Sequence, residues 1–278
     1  MTKLYGVIGD PIAQSLSPMI HRGWMREHDI DAEYLAMQIP AGELEDGLDT
    51  LARRGASGLN VTMPHKHDAL ALAGSVTPRA KTIGAANTLW RPRDGTWHAD
   101  NTDAPGFLAT LAGLISAPLR GQRVAVLGAG GAARAIVYAL HSEGASILLA
   151  NRTLARAQNL IAEYGDQGQA QGHQAVTLET GLIALKEADF VVNTTSLGFQ
   201  NGLLDLPAGD DKLFYDISYG KAAKVILTQA KAAGWRIADG LPMLVYQAAF
   251  SFERWFDILP ETGLALERAQ AVIDAANG

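Results

Sequence analysis

The chain has 278 residues, a net charge of −6 and no cysteine. At roughly 100–200 residues per domain, this length suits about two domains. The charge argues against broad nucleic-acid binding because no basic stripe opposes it, and the lack of cysteine excludes disulfides and thiolate chemistry. No apolar run approaches the roughly 20 residues of a membrane-spanning helix, and the first residues lack a signal-peptide core. We expect a cytoplasmic α/β enzyme with neither a nucleic-acid nor a membrane partner.

The first part of the chain alternates short apolar segments with helical patterns. Ser17-Pro18 predicts a helix start with Ser17 as the N-cap, and further helices are predicted from Leu44 and Pro64. The predicted strands are 4–9, 34–39 and 59–62, followed by a hairpin of 87–90 and 96–99 around Arg93-Asp94-Gly95. Strands that alternate with helices imply a mostly parallel sheet.

The rest of the chain has the order of a dinucleotide-binding fold. A connecting helix over 104–114 precedes an apolar strand at 123–127, which runs directly into a glycine-rich turn and a helix. Further strands are predicted at 147–150, 190–193, 213–216 and 235–238, and closing helices at 243–256 and 264–276. We interpret the polar segment 167–174 as a solvated loop.

The glycine-rich turn matches a dinucleotide fingerprint. Gly128, Gly130 and Ala133 occupy its three marked positions in the alanine-ended form. Glycine lets the backbone turn tightly and approach a pyrophosphate, which sits at the helix N-terminus. The motif alone is weak, but its place between a strand and a helix makes it specific.

The second strand of this unit ends in residues that indicate the cofactor. A carboxylate at this position would bond the ribose 2′-hydroxyl of NAD. This chain instead has Asn151-Arg152-Thr153. A guanidinium and two neutral hydrogen-bonding groups suit a 2′-phosphate, which a carboxylate would repel. The sequence therefore favours NADP over NAD.

Four further polar clusters lie outside the nucleotide-binding segment, at 14–18, 60–66, 84–88 and 100–103. They carry hydroxyls and amides together with one lysine and two aspartates, a set that suits a small polyol acid. Taken singly, each has a purely structural reading: Ser17 as a helix cap, Lys66 as an exposed lysine, Asn87 as a turn residue and Asp103 as an N-cap.

Together and in this order, these motifs resemble the shikimate dehydrogenase family over essentially the whole chain. The matching motifs are Asn-Val-Thr-x-Pro-x-Lys (60–66), Asp-Asn-Thr-Asp (100–103), Gly-Ala-Gly-Gly-Ala-x-Arg (128–134), Asn-Arg-Thr (151–153) and Asn-x-Thr-Ser-x-Gly (193–198). The resemblance implies NADP-dependent reduction of 3-dehydroshikimate to shikimate, in the shikimate pathway of aromatic amino-acid biosynthesis. It leaves open whether the protein is a monomer or a homodimer.

The resemblance also implies roles for individual residues. Lys66 and Asp103 would be the catalytic pair, with Lys66 as proton donor. The implied substrate-binding residues are Ser15, Ser17, Thr62, Asn87, Tyr219 and Gln247. The implied cofactor-binding residues are Gly128, Ala129, Gly130, Gly131, Ala132, Ala133, Asn151, Arg152, Thr153, Thr194, Thr195, Ser196 and Gly240.

The fold class expected from these patterns is α/β with two domains. Residues 1–103 would form a mostly parallel α/β substrate domain, completed by the C-terminal helices in 241–278. Residues 104–240 would form a Rossmann-type NADP-binding domain.

The sequence departs from the family pattern at three places. Gln14 stands where many members have histidine, Pro242 replaces a common glycine, and Tyr219 lacks the Thr-Pro often found downstream. None of these changes alters the catalytic pair. Proline removes a donor and fixes φ, so the Pro242 change bears on the domain junction.

Three other functions compete with this interpretation. An NAD-dependent quinate/shikimate dehydrogenase is disfavoured by Ser15, Ser17 and the Asn-Arg-Thr triplet. A methylene-tetrahydrofolate dehydrogenase is disfavoured by the motifs at 60–66 and 100–103. A non-catalytic NADP sensor is disfavoured because both Lys66 and Asp103 are present. We expect no metal site, because His65 and His67 lack the i, i+4 spacing that places two ligands on one helical face.

Overall fold

The computed structural model describes residues 3–200 and 202–277. The strands are β1 (Lys3–Gly9), β2 (Ala32–Gln38), β3 (Ala56–Val61), β4 (Ser75–Val76), β5 (Thr88–Trp90), β6 (His98–Asp100), β7 (Arg123–Leu127), β8 (Ser146–Asn151), β9 (Gln174–Thr177), β10 (Phe190–Asn193), β11 (Leu213–Asp216) and β12 (Arg236–Ala238). The helices are α1 (Ser17–Glu27), α2 (Leu44–Arg53), α3 (Lys66–Leu72), α4 (Pro78–Ile83), α5 (Asp103–Ala112), α6 (Gly131–Ser142), α7 (Leu154–Ala162), α8 (Gly165–Ala170), α9 (Leu178–Ala184), α10 (Lys221–Ala232), α11 (Leu241–Phe256) and α12 (Gly263–Asn277). Short 3-10 turns lie at Leu185–Glu187 and Leu197–Gln200.

The chain divides into two compact units. The first unit comprises the chain up to Ala109 together with Leu244–Ala271, and the second comprises Thr110–Met243 together with the chain from Val272 onward. The divisions fall inside α5, α11 and α12 rather than in loops. The sequence-based division placed them at 103 and 240 and assigned all of 241–278 to the first domain.

The first unit is built on a six-stranded sheet of order β2-β1-β3-β5-β6-β4. β1 pairs in parallel with β2 and β3, β4 is parallel to β6, and β5 is antiparallel to both β3 and β6. One apolar cluster includes Ile8, Leu59 and Leu89. A second includes Trp24 of α1 and Phe252 of α11. The sheet is mostly parallel, with the expected hairpin at β5–β6.

The second unit has six strands in the order β12-β11-β10-β7-β8-β9, and every pair is parallel. Numbered within the unit and read from β9, this order is 3-2-1-4-5-6, the Rossmann arrangement. It confirms the expected fold class. The strand order reverses between β7 and β10, where such folds bind a dinucleotide at the carboxyl ends of the strands.

Two local expectations are wrong. Ser17 does not cap α1: the N-cap position is Leu16, no side chain caps it, and Ser17 is the first residue of the helix. The segment 167–174 is not a loop throughout, because most of α8 and the first residue of β9 lie in it. His173, in the turn between α8 and β9, is buried, and its Nε2 lies 3.1 Å from Nδ1 of His141 in α6. This contact joins residues far apart in sequence, which the local pattern does not show.

Candidate active site

Lys66 and Asp103 form an ion pair in the first unit. The Lys66 Nζ lies 2.5 Å from Asp103 Oδ2. The other carboxylate oxygen, Oδ1, accepts a hydrogen bond of 2.8 Å from Asn87 Nδ2. Lys66 keeps 16% of its side chain exposed and Asp103 only 7%, so the pair is screened from solvent but the ammonium remains reachable.

The two ends of the pair begin helices. Lys66 is the first residue of α3 and Asp103 the first of α5. The Asn101 side-chain oxygen accepts hydrogen bonds from the backbone N–H groups of Asp103 (3.1 Å) and Ala104 (3.4 Å). Asn101 therefore caps α5, and the carboxylate of Asp103 lies at a helix N-terminus, where negative charge is stabilised.

The topology of the first sheet gathers the predicted residues at one edge. Ser15 and Ser17 follow the carboxyl end of β1, and Thr62 and Lys66 follow that of β3. Because β5 is antiparallel to β3 and β6 is antiparallel to β5, Asn87 before β5 and Asp103 after β6 emerge at the same edge. Carboxyl ends of parallel strands are where open α/β sheets bind ligands.

Gln247 joins this group through a close helix contact. Its Oε1 accepts a 3.1 Å hydrogen bond from Asn87 Nδ2. The approach of α11 to α5 depends on Gly106, where a Cβ would lie 2.8 Å from both the backbone nitrogen and the Cβ of Gln247. Only a residue without a side chain allows this contact, which brings an amide from far along the chain to Asn87.

The two serines occupy different environments. The Ser15 Oγ accepts a 3.3 Å hydrogen bond from the backbone N–H of Ser17, and Ser15 is partly exposed. Ser17 is 4% exposed and lies beside the Tyr34 hydroxyl. Burial raises the pKa of Tyr34 well above its ordinary value, against a hydrogen bond with Ser17 that lowers it. Ser15 is thus the more accessible hydroxyl for a ligand.

Thr62 lies close against the end of β1. A Cβ at Gly9 would stand 2.4 Å from the Thr62 Cγ2 atom. The backbone N–H of Thr62 donates to the carbonyl of Ile8 at 2.9 Å. The glycine therefore allows the Thr62 side chain to sit at the shared edge of β1 and β3.

A buried hydrogen-bond network, which sequence reasoning missed, supports Asn87. The Ser251 hydroxyl lies 2.8 Å from Asn60 Nδ2, 2.7 Å from Thr88 Oγ1 and 3.1 Å from Thr102 Oγ1. The Thr102 backbone N–H donates to Asn87 Oδ1 at 2.7 Å. Because the Asn87 Oδ1 accepts this hydrogen bond, the amide has a fixed orientation and its NH₂ points toward Asp103. Ser251 stands four residues after Gln247, one helical turn, which is the only sequence signal for it.

Asp100 of the Asp-Asn-Thr-Asp motif is a structural anchor. Burial raises the pKa of its carboxyl, but a hydrogen bond from Thr77 and the charge of Arg79 outweigh this and lower it below its usual range. Arg79 approaches both carboxylate oxygens, at 3.2 and 2.8 Å, and Arg254 of α11 adds a contact at 3.2 Å. The carboxylate stays charged and ties α4 and α11 to β6.

The two histidines near Lys66 contact backbone. His65 Nε2 lies 2.6 Å from the carbonyl of Ile39, and His67 Nδ1 lies 2.8 Å from that of Gly84. Within 3–200 and 202–277, no group of three or more metal-ligating side chains is found.

In the second unit, the glycine loop has the geometry of a pyrophosphate cradle. Gly128 has φ +103°, and a Cβ there would stand 2.5 Å from Thr194 Oγ1. At Gly130, the N-cap of α6, a Cβ would meet nothing within 4 Å, and no side chain caps the helix. The space before the N-terminus is therefore open to a ligand whose negative charge the helix favours. The loop residues fit a dinucleotide.

The remaining predicted cofactor residues lie at the same ends of this sheet. Asn151 ends β8, and its Nδ2 donates to the Thr153 carbonyl at 2.8 Å, while Arg152 and Thr153 are exposed. Thr194 donates to the Leu127 carbonyl through both its backbone nitrogen and Oγ1, each at 2.8 Å. Thr195 and Ser196 follow β10, and Gly240 follows β12. Tyr219, predicted to bind the substrate, follows β11.

Gly240 has a second reason to be glycine. A Cβ at this position would stand 1.8 Å from the carbonyl oxygen of Ile217. Its backbone N–H donates to the Ser218 carbonyl at 2.8 Å. The loops after β11 and β12 therefore lie in direct contact at the end of the sheet.

Known proteins match the chain over its whole length. Family models match as follows: the shikimate dehydrogenase substrate binding domain over residues 7–89, shikimate / quinate 5-dehydrogenase over 110–199, and the shikimate 5'-dehydrogenase C-terminal domain over 240–270. The shikimate dehydrogenase (NADP(+)) of Hyphomonas neptunium is 48% identical over 277 residues, 100% of each chain. The chain belongs to the shikimate dehydrogenase family.

Other shikimate dehydrogenases agree in sequence and structure. The shikimate dehydrogenase (NADP(+)) of Cereibacter sphaeroides is 44% identical over 93% of this chain and 93% of its own. The crystal structure of shikimate 5-dehydrogenase from Thermus thermophilus, in complex with NADP(H) and shikimate, is 36% identical. Its TM-score is 0.83, and the match covers 97% of this chain and 99% of that chain. In the described residues, no helix combines the length and apolar character needed to cross a bilayer.

Proposed function

We propose that this chain catalyses the reversible, NADP-dependent reduction of 3-dehydroshikimate to shikimate in the shikimate pathway of aromatic amino-acid biosynthesis. The observation that carries the proposal is the Lys66–Asp103 pair, at 2.5 Å and held from its other side by Asn87. It is supported by relatives named shikimate dehydrogenase (NADP(+)) at 48% and 44% identity. We further propose that the enzyme acts in the cytoplasm, as a monomer or homodimer, without a nucleic-acid or membrane partner.

Substrate binding and cofactor binding are assigned to different units. The first unit, which contains Ser15, Ser17, Thr62, Asn87 and Gln247, is the proposed substrate domain. The second, with the Rossmann strand order, is the proposed NADP-binding domain. Tyr219 is also proposed to bind the substrate carboxylate.

Lys66 supplies the proton in this mechanism. The chemistry that NADPH supplies is a hydride to the ketone carbon. Alkoxide character then develops on the carbonyl oxygen, and an ammonium both stabilises it and protonates it. Asp103 holds the ammonium through Oδ2, and Asn87 holds the carboxylate through Oδ1. In the reverse direction, Lys66 accepts the hydroxyl proton.

The substrate's other groups meet neutral donors. Ser17 begins α1 and Ser15 lies two residues before it, at the helix N-terminus, where backbone N–H groups and the helix dipole favour a carboxylate. Thr62, Asn87 and Gln247 offer hydroxyl and amide groups to the ring hydroxyls. A charged base at these positions would compete for protons, which amides and hydroxyls do not.

Cofactor residues divide between the phosphates of NADP. The glycine loop from Gly128 to Ala133 is proposed to hold the pyrophosphate at the N-terminus of α6. Asn151, Arg152 and Thr153 are proposed to bind the 2′-phosphate. The loops with Thr194, Thr195, Ser196 and Gly240 complete the site at the ends of β10 and β12.

A two-by-two assay tests the proposal. Purified protein is given shikimate or quinate with NADP or NAD, and formation of the reduced cofactor is followed by absorbance. We expect the highest kcat/KM with shikimate and NADP. Absence of reduction in every combination would support an NADP sensor instead, and a preference for quinate with NAD would overturn the assignment of both substrate and cofactor.

A further inference from the structure

A buried carboxylate links the strand ends of the second unit. Asp216, the last residue of β11, is 0% exposed. Its Oδ2 accepts a 2.8 Å hydrogen bond from Asn193 Nδ2, and its Oδ1 accepts one of 2.8 Å from the backbone N–H of Ser218. Asn193 ends β10 and Ser218 follows β11, so one side chain joins two neighbouring loops.

The link continues into residues proposed to bind NADP. Asn193 Oδ1 accepts hydrogen bonds from Thr195, at 3.2 Å from its backbone nitrogen and 2.8 Å from its Oγ1. On the other side, the Ser218 carbonyl accepts the backbone N–H of Gly240 at 2.8 Å. A chain of hydrogen bonds thus runs from Thr195 through Asn193, Asp216 and Ser218 to Gly240.

The charge on Asp216 is held without a cation. Among the described residues, no lysine, arginine or histidine forms an ion pair with it. Burial raises the pKa of Asp216 to about 6, with hydrogen bonds from Ser218 and Asn193 opposing and the Asp239 charge adding to the rise. Asp239 and Tyr215, the titratable groups that interact with it electrostatically, are acids. A buried unpaired carboxylate is costly, so stability does not account for its presence.

We propose that Asp216 is a positioning residue for NADP, acting through Asn193 to fix the orientation of the Thr195 loop. This inference rests on the proposed NADP-dependent activity. The dinucleotide crosses the point where the strand order reverses, and β10 lies directly there beside β7. The same loop touches the residue that precedes the glycine loop, since Thr194 Oγ1 donates to the carbonyl of Leu127, the last residue of β7. If Asn193 is held in one orientation, it fixes the position of the Thr195 loop and, through Thr194, that of the residue before the glycine loop.

The acceptor count explains why the residue is an aspartate. Asp216 must accept from two directions, and a carboxylate has an acceptor oxygen for each. In Asp216→Asn, an amide oxygen kept toward Ser218 would place its NH₂ against the NH₂ of Asn193. If the Asn193 amide turned over instead, the NH₂ of Asn193 would face the backbone N–H of Thr195. Either arrangement leaves buried donors facing each other.

An exchange of the two side chains tests this. In the double variant Asn193→Asp/Asp216→Asn, the carboxylate at position 193 accepts from Thr195 and from the amide at position 216. The oxygen of that amide accepts from Ser218. Every hydrogen bond and the net charge are restored, while the two side chains have changed places. We expect Asp216→Asn alone to raise the KM for NADP by roughly 5- to 100-fold with the KM for shikimate within about twofold. The exchange should return the NADP KM to within about threefold of wild type.

Asp189→Asn is the matched control. Asp189 precedes β10 at the opposite end of the same sheet, is exposed, and accepts a 2.7 Å hydrogen bond from the Arg123 backbone. Its NADP KM should equal that of wild type. An Asp216→Asn enzyme with unchanged NADP KM, or one whose kcat and both KM values change in parallel with a lowered Tm, overturns the proposal. So does an exchange variant that fails to fold or keeps the raised KM. Failure of the proposed function would show differently, as an inactive wild type.

Discussion

Asp103 accepts a hydrogen bond from Lys66 on one carboxylate oxygen and from Asn87 on the other. Lys66 is the proton donor of this group, so its loss removes the acid that protonates the substrate alkoxide. Lys66→Ala should lower kcat by about 10²- to 10⁴-fold, the usual contribution of a general acid. Binding should survive because the carboxylate and hydroxyl contacts of the substrate remain. Steady-state kinetics with 3-dehydroshikimate measure this.

Lys81→Ala is the control for this variant, since Lys81 is an exposed lysine of α4 in the same unit. Asp103→Asn should also be severely impaired. The double variant should lose much less than the product of the two single losses, because the groups act as a unit. Retention of more than about a third of wild-type kcat in Lys66→Ala would assign the proton transfer to water or to Asp103.

Arg152 is exposed at the end of β8, and it is the only cation of the Asn-Arg-Thr triplet. A charge-assisted hydrogen bond contributes roughly 1.5–3 kcal/mol, so Arg152→Ala should lower kcat/KM for NADP by about 10- to 150-fold. NAD lacks the 2′-phosphate, and its kcat/KM should barely move. The measurement compares both cofactors at saturating shikimate.

Arg156, in the first turn of α7, provides the comparison. Arg156→Ala alone should have little effect, and the double variant shows whether Arg156 substitutes for Arg152. An equal loss with both cofactors would mean that Arg152 supports the fold or the pyrophosphate instead of the 2′-phosphate.

At the residue scale, the sequence predicts best what lies in a short motif. Lys66, Asp103 and Asn87 were each ambiguous alone, and the structure brings all three within hydrogen-bonding distance. Ser251 and Asp216 were not predicted. Ser251 contacts Asn60, 191 residues away, and Asp216 contacts Asn193 on a neighbouring strand, 23 residues earlier. No local pattern records either contact.

Helix α5 offers a test of packing at the element scale. A glycine inside a helix is normally about 1 kcal/mol less favourable than alanine. At Gly106, however, the added methyl would stand 2.8 Å from the backbone nitrogen of Gln247 in α11. Gly106→Ala should therefore destabilise the protein by about 1–3 kcal/mol and raise the KM for shikimate as Gln247 moves. Denaturant unfolding and steady-state kinetics measure the two effects.

Gly113→Ala is the matched control, since Gly113 lies just beyond α5, is exposed, and meets only an ordinary contact at 3.6 Å. It should leave both stability and KM unchanged within about 0.5 kcal/mol and twofold. A Gly106→Ala protein as stable as wild type would show that α5 and α11 can separate without cost.

Elements with strong apolar patterns were the predictable ones. β7 and β10 are buried almost throughout, and both were expected at their observed residues. β9 was missed because it is an edge strand whose four residues are at most partly buried. β4, two residues long, is defined by pairing with β6 rather than by its own composition.

The stability of the whole molecule should fall in acid partly because of one histidine. His21 is 0% exposed and its ring stacks on Tyr34, with centroids 4.3 Å apart. Burial lowers its pKa to about 3, below the value of about 6.5 in an unfolded chain. Between these values the unfolded chain binds a proton that the folded protein does not. The contribution of His21 to the free energy of unfolding is therefore fully present above pH 6.5 and is lost as pH falls toward 3.

His21→Phe should reduce the acid-induced loss of unfolding free energy by up to a few kcal/mol, because the ring still stacks but no longer titrates. Denaturant unfolding at a series of pH values from about 4 to 7 measures the slope. His28→Phe, an exposed histidine at the end of the same helix, should keep the wild-type slope. If His21→Phe and wild type show the same slope of unfolding free energy against pH, other groups cause the loss of stability in acid.

The position of α11 in the chain bears on how the protein forms during synthesis. Ser251 and Gln247 supply partners to Asn60, Thr88 and Asn87, all made much earlier. At about 5–20 residues per second, a ribosome needs about 7–26 s to pass from Ala109, where the first segment of the first unit ends, to Leu241, where α11 begins. During this delay those buried polar groups lack their native partners, whereas the second sheet is complete once β12 has emerged. The segment that leaves the ribosome first therefore waits for a helix that is made after every strand of the second sheet.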